Sequence, residues 1–289
     1  MLHNTLNKQQ LNIFEVKTIK GKNIKRASIQ TAEEAQKRLK EMRSWTSGPF
    51  NTIFSWILQT SSAILGVIFL RVLNKVKVID RHKVESIKPP YIFISNHLTM
   101  IDDFLLGGLV FLPSAFRKMK YFPWHAPEEQ NFFLGPILTW AMKRLRCVPL
   151  TRGKGVFQPG MMRLKELLNG ENIIHIYPEG TRSRNGEIGK GKVGVARLAY
   201  QTKANIVPCY HEGTQAILPI GKNQLRTGKA MTVIVGDPID MKDLYEQEEG
   251  RSTFNAIADR MISTISNLRT EIHDRGFGVV PIPDNSKEN

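Results

Sequence analysis

The sequence predicts an α/β fold: a single domain with a mostly parallel or mixed central sheet covered by helices, preceded by an N-terminal membrane-binding helical segment. Short apolar runs typical of buried strands alternate with segments of helical periodicity, as expected when helices cover a sheet. A run of 21 residues, Phe50 to Leu70, contains no charged side chain. The 289 residues, 41% of them hydrophobic and 23% charged, are enough for a well-packed core.

These observations divide the chain into four parts. We expect a basic polar extension at 1–49, a membrane-anchoring or interfacial helix at 50–72, an α/β domain at 73–276 and a C-terminal tail at 277–289. No apolar stretch lies near the N-terminus, so we expect no signal peptide. Residues 31–44 are strong helix formers with glutamates ahead of lysines and arginines, which predicts a solvated helix.

The uncharged run predicts a helix about 30 Å long, roughly the thickness of the hydrocarbon core of a bilayer. Its polar residues fall on one stripe, which we expect to pack against protein. The residues expected to contact lipid are Trp56, Ile57, Ile64, Leu65, Ile68 and Phe69. Basic residues lie on both sides of the run, so a spanning and a monotopic mode both stay open. The alternative is a buried helix of a soluble domain.

The elements of the domain follow in order. Alternation at 75–80 predicts a half-exposed strand, and the apolar run at 91–95 predicts a buried strand. The other predicted strands are 146–150, 172–177, 206–210 and 231–236, and the predicted helices are 102–112, 128–145, 159–169, 192–203 and 252–276. We expect Pro113 to end the helix before it.

A histidine and an aspartate follow the 91–95 strand, in the segment 96–102 (NHLTMID). Ligands of α/β folds gather at the carboxyl ends of strands, so this turn is well placed for chemistry. Asp102 could accept a proton from one nitrogen of His97 and leave the other nitrogen as a base for a substrate hydroxyl or amine. The alternative is that Asp102 only caps the next helix. No G-x-S-x-G segment is present, so we expect no acyl-enzyme serine.

Two basic turns follow other predicted strands, at 177–184 (YPEGTRSR) and 149–155 (PLTRGKG). Arginine makes forked, charge-assisted contacts with phosphate, so both turns indicate a phosphate-bearing ligand. Residues 186–194 partly match nucleotide-binding motifs. They lie beyond the end of their strand and lack the Ser or Thr of a Walker A loop, which favours a flexible basic loop.

The net charge of +15 indicates an anionic partner: nucleic acid, an anionic membrane or a phosphorylated substrate. We find no nucleic-acid recognition motif, so we expect no nucleic-acid partner.

The seven histidines lack metal-ligand spacing, so we expect no metal, and His175 is interpreted as a core or edge histidine. Two cysteines exclude a disulfide scaffold and fit a reducing compartment.

Together these segments resemble the glycerophospholipid acyltransferase family, which includes 1-acylglycerol-3-phosphate acyltransferases and tafazzins. Residues 96–102 resemble its N-H-x(4)-D block, and Arg152 resembles the arginine of its second block. EGTR at 179–182 reproduces the third block, and IVP at 206–208 resembles the fourth. The order and spacing of the blocks agree across about residues 75–240, while the HIYPEG segment leans towards tafazzins.

The resemblance implies transfer of a fatty acyl chain from acyl-CoA or acyl-ACP to the sn-2 hydroxyl of a lysophospholipid, most directly 1-acyl-sn-glycerol 3-phosphate. It implies that His97 is the general base and that Asp102 orients it. The residues implied to bind the glycerol-phosphate end are Asn96, Arg152, Glu179, Gly180, Thr181 and Arg182. The thioester would be a co-substrate and no cofactor is implied.

We expect membrane lipids as partners and an active site that faces the cytoplasm. Two alternatives stay open. One is a tafazzin-like transacylase that works without CoA, and the other is a non-enzymatic basic protein that binds membranes or nucleic acid.

Overall fold

A computed structural model describes residues 22–116, 118–155 and 157–279. The first part of the predicted extension, residues 1–21, and most of the predicted tail, residues 280–289, lie outside the described residues. The strands are β1 (Lys75–Ile79), β2 (Tyr91–Ser95), β3 (Trp124–His125), β4 (Ile173–Ile176), β5 (Asn205–Glu212) and β6 (Ala230–Val235). They form one sheet in the order β1-β6-β5-β2-β4-β3. Neighbouring strands are parallel except for the antiparallel pair β5 and β6, so the predicted mixed sheet is confirmed.

The helices lie before the sheet and between its strands. They are α1 (Lys22–Ser44), α2 (Pro49–Leu73), α3 (His82–Ser86), α4 (Asp102–Leu106), α5 (Leu112–Ala115), α6 (Glu129–Phe132), α7 (Gly135–Arg144), α8 (Pro159–Asn169), α9 (Val193–Thr202), α10 (Thr214–Ile217), α11 (Lys242–Tyr245) and α12 (Arg251–Asp274). A π-helical turn, Gly107–Phe111, joins α4 to α5, and a 3₁₀ turn, Met119–Tyr121, precedes β3.

Helices cover both faces of the sheet. In β2, Ile92 and Ile94 enter a core that contains α1, α8, α9 and α12. Tyr91 and Phe93 enter a second core, which contains α2, α3, α4 and the π-helical turn. This two-sided burial is typical of strands in largely parallel sheets.

Most residues of α1 between 32 and 44 are exposed, in line with the solvated helix predicted at 31–44, but one stripe packs against the domain. Leu39 and Met42 are 2% and 4% exposed, and with the following Trp45 they join the first core. The apolar residues recur every three positions on an otherwise polar helix, so one narrow stripe is enough to dock it. An ion pair between Arg43 and Glu166 of α8 supports this contact.

Helix α2 is long and apolar enough to cross a membrane, by length and composition. Its buried residues are Ser55, Gln59, Thr60, Ala63, Gly66 and Leu70. Four of the residues predicted to face lipid are exposed: Trp56, Ile57, Leu65 and Ile68. The other two, Ile64 and Phe69, are half-buried against the domain. Ile64 packs against the cluster that contains Ala63 and Phe122, and Phe69 packs against the cluster that contains Leu70.

Three predicted elements differ from the structure. The helix predicted at 128–145 is divided into α6 and α7 because Gly135 takes a left-handed φ of 68° and Pro136 begins a new helix. The strand predicted at 146–150 is an extended segment with only isolated bridges to the β3 region. The helix predicted to end at Pro113 continues to Ala115, since proline is tolerated in the first turn of α5.

The carboxyl ends of β2, β3, β4 and β5 lie at one edge of the sheet because these strands are parallel to one another. The residues that end or directly follow them are His97 after β2, His125 at the end of β3, Tyr177 after β4 and His211 near the end of β5. This edge therefore brings the predicted His97 together with side chains that the sequence analysis did not assign to the chemistry.

Candidate active site

His97 and Asp102 form a hydrogen-bonded pair at the carboxyl end of β2. His97 Nδ1 lies 2.9 Å from Asp102 Oδ2. The carboxylate is the first residue of α4 and is completely buried, whereas the imidazole is partly exposed. An ionised carboxylate only accepts, so the proton of a neutral His97 is assigned to Nδ1 and the lone pair to Nε2. The pair can thus act as a base towards a group that approaches Nε2.

Asp102 is also held by the turn between itself and His97. Its Oδ2 accepts from the amides of Leu98, at 2.7 Å, and Thr99, at 2.8 Å, and its Oδ1 accepts from Thr99 Oγ1 at 2.6 Å. Burial raises the pKa of Asp102, but His211, His97 and Thr99 lower it more, to about 2. The carboxylate is therefore ionised at neutral pH.

Glu179 joins the 96–102 segment to the turn at 177–184. Its Oε1 accepts from the His97 amide at 3.0 Å, and its Oε2 accepts from the Gly189 amide at 2.8 Å. In return the Ser183 amide donates to the His97 carbonyl at 2.7 Å. Burial raises the pKa of Glu179 against the lowering effect of these two amides. The backbone of His97 is thus fixed on both sides.

Asn96 and His211 link β2 to β5 beside the pair. The Asn96 side chain donates to the His211 carbonyl at 2.8 Å and accepts from its amide at 2.9 Å. His211 Nε2 lies 2.9 Å from the Asn96 carbonyl and 3.7 Å from Asp102 Oδ2. Burial lowers the pKa of His211 despite the nearby Asp102, so we assign it a neutral ring with its proton on Nε2.

A second group of titratable side chains surrounds Asp103. His125 Nδ1 and His175 Nδ1 each lie 2.8 Å from Asp103 Oδ1, and His175 Nε2 lies 2.9 Å from Ser95 Oγ. The possible ligand atoms of these three residues lie within 4.8 Å of one another, so they could also hold a cation. A hydrogen bond from His125 and a close polar contact of His175, both to the same carboxylate oxygen, explain these distances without a cation.

The two basic turns have different environments. Arg152 is 59% exposed and its Nε lies 3.1 Å from Glu128 Oε2. Its turn is braced by Gln158, which accepts from the Thr151 amide at 2.7 Å. Arg182 is half-buried and directly precedes Ser183, the residue bonded to the His97 carbonyl. Only the second turn is thus physically joined to the dyad by a hydrogen bond.

Gly180 and Thr181 are exposed beside Arg182. Gly180 has a left-handed φ of 64°, which favours glycine at this position. Further along, the Lys192 amide donates to the Pro178 carbonyl at 2.7 Å. With the contact between Gly189 and Glu179, this bond gives the glycine-rich segment 186–194 a structural role in holding the 177–184 turn.

In a comparison with protein families, the family model described as Acyltransferase matches residues 75–212. Residues 75–212, slightly under half of the chain, thus resemble the acyltransferase family. The match contains both residues of the dyad, the Arg152 turn and the EGTR block.

Individual proteins similar to this chain agree with the match. The chain is 26% identical to tafazzin of Drosophila melanogaster over 233 residues, which cover 76% of this chain and 61% of tafazzin. It is 29% identical to a chloroplastic 1-acyl-sn-glycerol-3-phosphate acyltransferase of Arabidopsis thaliana over 166 residues, which cover 57% of this chain and 44% of that enzyme. The chain thus spans about three fifths of the first relative and under half of the second.

The fold is also similar to a solved structure. The 1-acyl-sn-glycerophosphate acyltransferase PlsC of Thermotoga maritima superposes with a TM-score of 0.56 at 18% identity, over 78% of this chain and 85% of PlsC. This likeness supports the α/β fold predicted from the sequence.

The segment that matches the family model contains candidate site residues that the sequence patterns missed. Asp103, His125, His175 and His211 lie beside the dyad, yet they are spread over more than a hundred positions of the chain. The available signal is their place in the strands: His125 ends β3, and His175 and His211 lie one residue before the ends of β4 and β5. Pro208 of the fourth block lies in β5, and its carbonyl accepts from the Gly236 amide, so its missing N–H faces away from β2.

Proposed function

We propose that this protein transfers a fatty acyl chain from an acyl thioester to the sn-2 hydroxyl of a lysophospholipid, most directly 1-acyl-sn-glycerol 3-phosphate. The observation that carries the proposal is the 2.9 Å contact between His97 Nδ1 and a buried Asp102 inside the family-matched segment. Acyl-CoA or acyl-ACP is the proposed donor.

The proposed reaction has two steps at His97. Nε2 takes the proton of the acceptor hydroxyl while its oxygen attacks the thioester carbonyl, and Asp102 stabilises the imidazolium that forms. The tetrahedral intermediate then collapses, the carbon–sulfur bond breaks, and the thiolate takes the proton from His97. A serine nucleophile has no part in this direct transfer.

The polar residues around the dyad take two proposed roles. Arg182, Thr181 and Gly180 bind the phosphate of the acceptor, with Arg152 on the neighbouring turn. Asn96 and Glu179 were predicted to bind substrate. Their polar atoms bond to the backbone, so we propose that they hold β2, β5 and the His97 turn in place instead.

We also infer that the protein associates with a membrane through α2 and α7. The exposed apolar side chains of α2 continue onto α7, where Ile137 is 83% and Trp140 is 47% exposed. The two helices are joined, because Gln59 donates to the Arg144 carbonyl at 3.3 Å and Arg144 donates to Asn51 at 2.7 Å. A shared apolar surface of this kind fits the interface of a lipid leaflet. We propose that the active site faces the cytoplasm.

The test is an acyl-transfer assay with purified protein, acyl-CoA or acyl-ACP, and a panel of lysophospholipids, in which free thiol is measured. We expect His97→Ala to lower kcat by about 10²- to 10⁴-fold, because it removes the base. The exposed His82→Ala on α3 is the matched control and should keep full activity. Arg182→Ala should raise KM mainly for phosphate-bearing acceptors. Wild-type turnover in His97→Ala would contradict the mechanism.

The second candidate is a tafazzin-like transfer of acyl chains between phospholipids without CoA. It is favoured by the match to Drosophila tafazzin, which covers 76% of this chain. Labelled phosphatidylcholine and a lysophospholipid are incubated in thioester-free buffer. Label in the lysophospholipid product would support this candidate, and strict dependence on thioester would exclude it.

A further inference from the structure

The ring of Tyr177 lies flat on the imidazole of His97. Their centroids are 3.8 Å apart and their planes differ by 9°. Tyr177 directly follows β4, the strand parallel to β2, so the pairing of the two strands sets this contact. Asp102 holds one edge of the His97 ring through Nδ1, and Tyr177 covers one face. Together these two contacts define the direction in which Nε2 points.

Tyr177 is itself part of a layer of rings next to Asp103. Its ring centroid lies 4.8 Å from that of His175, which lies 5.6 Å from that of His125. Both imidazoles lie 2.8 Å from the same carboxylate oxygen of Asp103. Asp102 and Asp103 are consecutive in α4, so one carboxylate serves the dyad and the other serves the layer behind it.

The surroundings keep Tyr177 neutral. Burial and the charges of Asp103 and Asp102 raise the pKa of Tyr177 well above its ordinary value. A neutral phenol has an electron-rich face, which attracts a cation that forms over it. In the proposed reaction the His97 ring becomes such a cation when it takes the proton of the acceptor.

We propose that Tyr177 is a positioning residue for the base: its ring fixes the plane of His97 and stabilises the imidazolium, while Asp103, His125 and His175 hold that ring in place. The inference rests on the proposed function of His97. The titratable groups in and beside the dyad are Asp102 and Asp103 on α4, His125 on β3, His175, Tyr177 and Glu179 on or after β4, and His211 on β5.

Two substitutions distinguish the effect of the Tyr177 ring from the effect of its hydroxyl group. Tyr177→Leu removes the stacked face, and we expect kcat to fall at least tenfold while KM changes less than threefold. The acidic limb of the kcat/KM profile should move to lower pH by up to about one unit, because the cation loses its partner. Tyr177→Phe keeps the face and should keep kcat within about threefold. Tyr200→Phe, a tyrosine on α9, is the matched control for loss of a hydroxyl.

A second readout does not depend on activity. A ring stacked on His97 shifts the proton signal of its Cε1 upfield in NMR spectra, so we expect this shift in the wild type and in Tyr177→Phe and its loss in Tyr177→Leu. If Tyr177→Leu does not fold, Tyr177→Met fills the space without a ring and replaces it. Asp103→Asn should weaken the shift in part.

The outcomes distinguish this inference from the proposed function. Activity in His97→Ala would contradict the proposed function. The upfield shift of the His97 signal in the wild-type protein would still report the stacking of Tyr177 on His97. An inactive His97→Ala together with wild-type kcat in a folded Tyr177→Leu would overturn the positioning role alone. A fall in kcat with an unmoved acidic limb would also overturn it, since a purely structural contact has that effect.

Discussion

Asp102 contributes to folding as well as to the proposed chemistry, because its charge is stabilised only in the folded chain. Its pKa falls from the ordinary value of 3.8 to about 2. A carboxylate with a depressed folded pKa stabilises the fold above its unfolded pKa, and this stability is lost as the pH falls through the folded pKa. The lowering corresponds to about 2 kcal/mol.

We therefore predict that the free energy of unfolding drops by about 2 kcal/mol between pH 4 and pH 2 on account of this residue. Asp102→Asn should lack this part of the drop, which urea denaturation across that range measures. Asp259→Asn, at an exposed position of α12, is the matched control and should behave like the wild type. An equal pH dependence in all three proteins would show that Asp102 is not the titrating group.

The dyad is predictable from the sequence because a single turn brings the two residues of the H-x(4)-D spacing together. The group around Asp103 is not, since His125 lies 22 positions and His175 lies 72 positions further along the chain. They meet because β3 and β4 pair in parallel with His125 opposite His175. A two-residue strand such as β3 leaves no periodic pattern from which this pairing could be predicted.

At the scale of elements, the contact of α2 with the π-helical turn depends on Gly108. A Cβ atom added there would lie 2.8 Å from the Ala63 carbonyl oxygen of α2, whereas one added to the neighbouring Gly107 would meet nothing within 4 Å. The lack of a side chain at Gly108 thus permits the two backbones to approach closely. A side chain at Gly107 would not interfere with this contact.

We predict that Gly108→Ala lowers the free energy of unfolding by about 1–3 kcal/mol, because the two elements must move apart. Gly107→Ala is the matched control and should leave stability unchanged or raise it slightly. Chemical denaturation followed by circular dichroism measures both. Equal effects at the two glycines would contradict the close contact.

Elements filled by an apolar run or by helical spacing were predictable from the sequence. Elements whose burial or pairing depends on another segment of the chain were not. β2 and α8 match their predicted bounds because an apolar run or helical spacing fills each of them. The burial of α1 could not be predicted from its charged composition, because two or three apolar residues dock it on α8. The extended segment 146–150 has strand-like residues, but only isolated bridges form there.

At the scale of the whole molecule, the apolar surface of α2 and α7 predicts how the protein binds vesicles. Ile137→Asp places a charge in that surface, so we expect at least about tenfold weaker partitioning into vesicles of phosphatidylcholine and phosphatidylglycerol. Sedimentation of the protein with the vesicles measures this partitioning. Ile220→Asp, at an exposed apolar position in the loop after α10, is the matched control. The same loss in both variants would argue against a role of α7.

The junction of α2 and β1 determines how the molecule would work at a surface. α2 ends at Leu73 and β1 begins at Lys75, and Asn74 between them bonds to the Phe69 carbonyl and to the Lys229 amide. No hinge separates the helix from the sheet at this junction. If α2 lies in a leaflet and the proposed function holds, the edge that carries His97 would keep a constant height and tilt, so the protein would act on lipids of its own bilayer. Its rate would then follow the mole fraction of lysophospholipid in the surface rather than its bulk concentration.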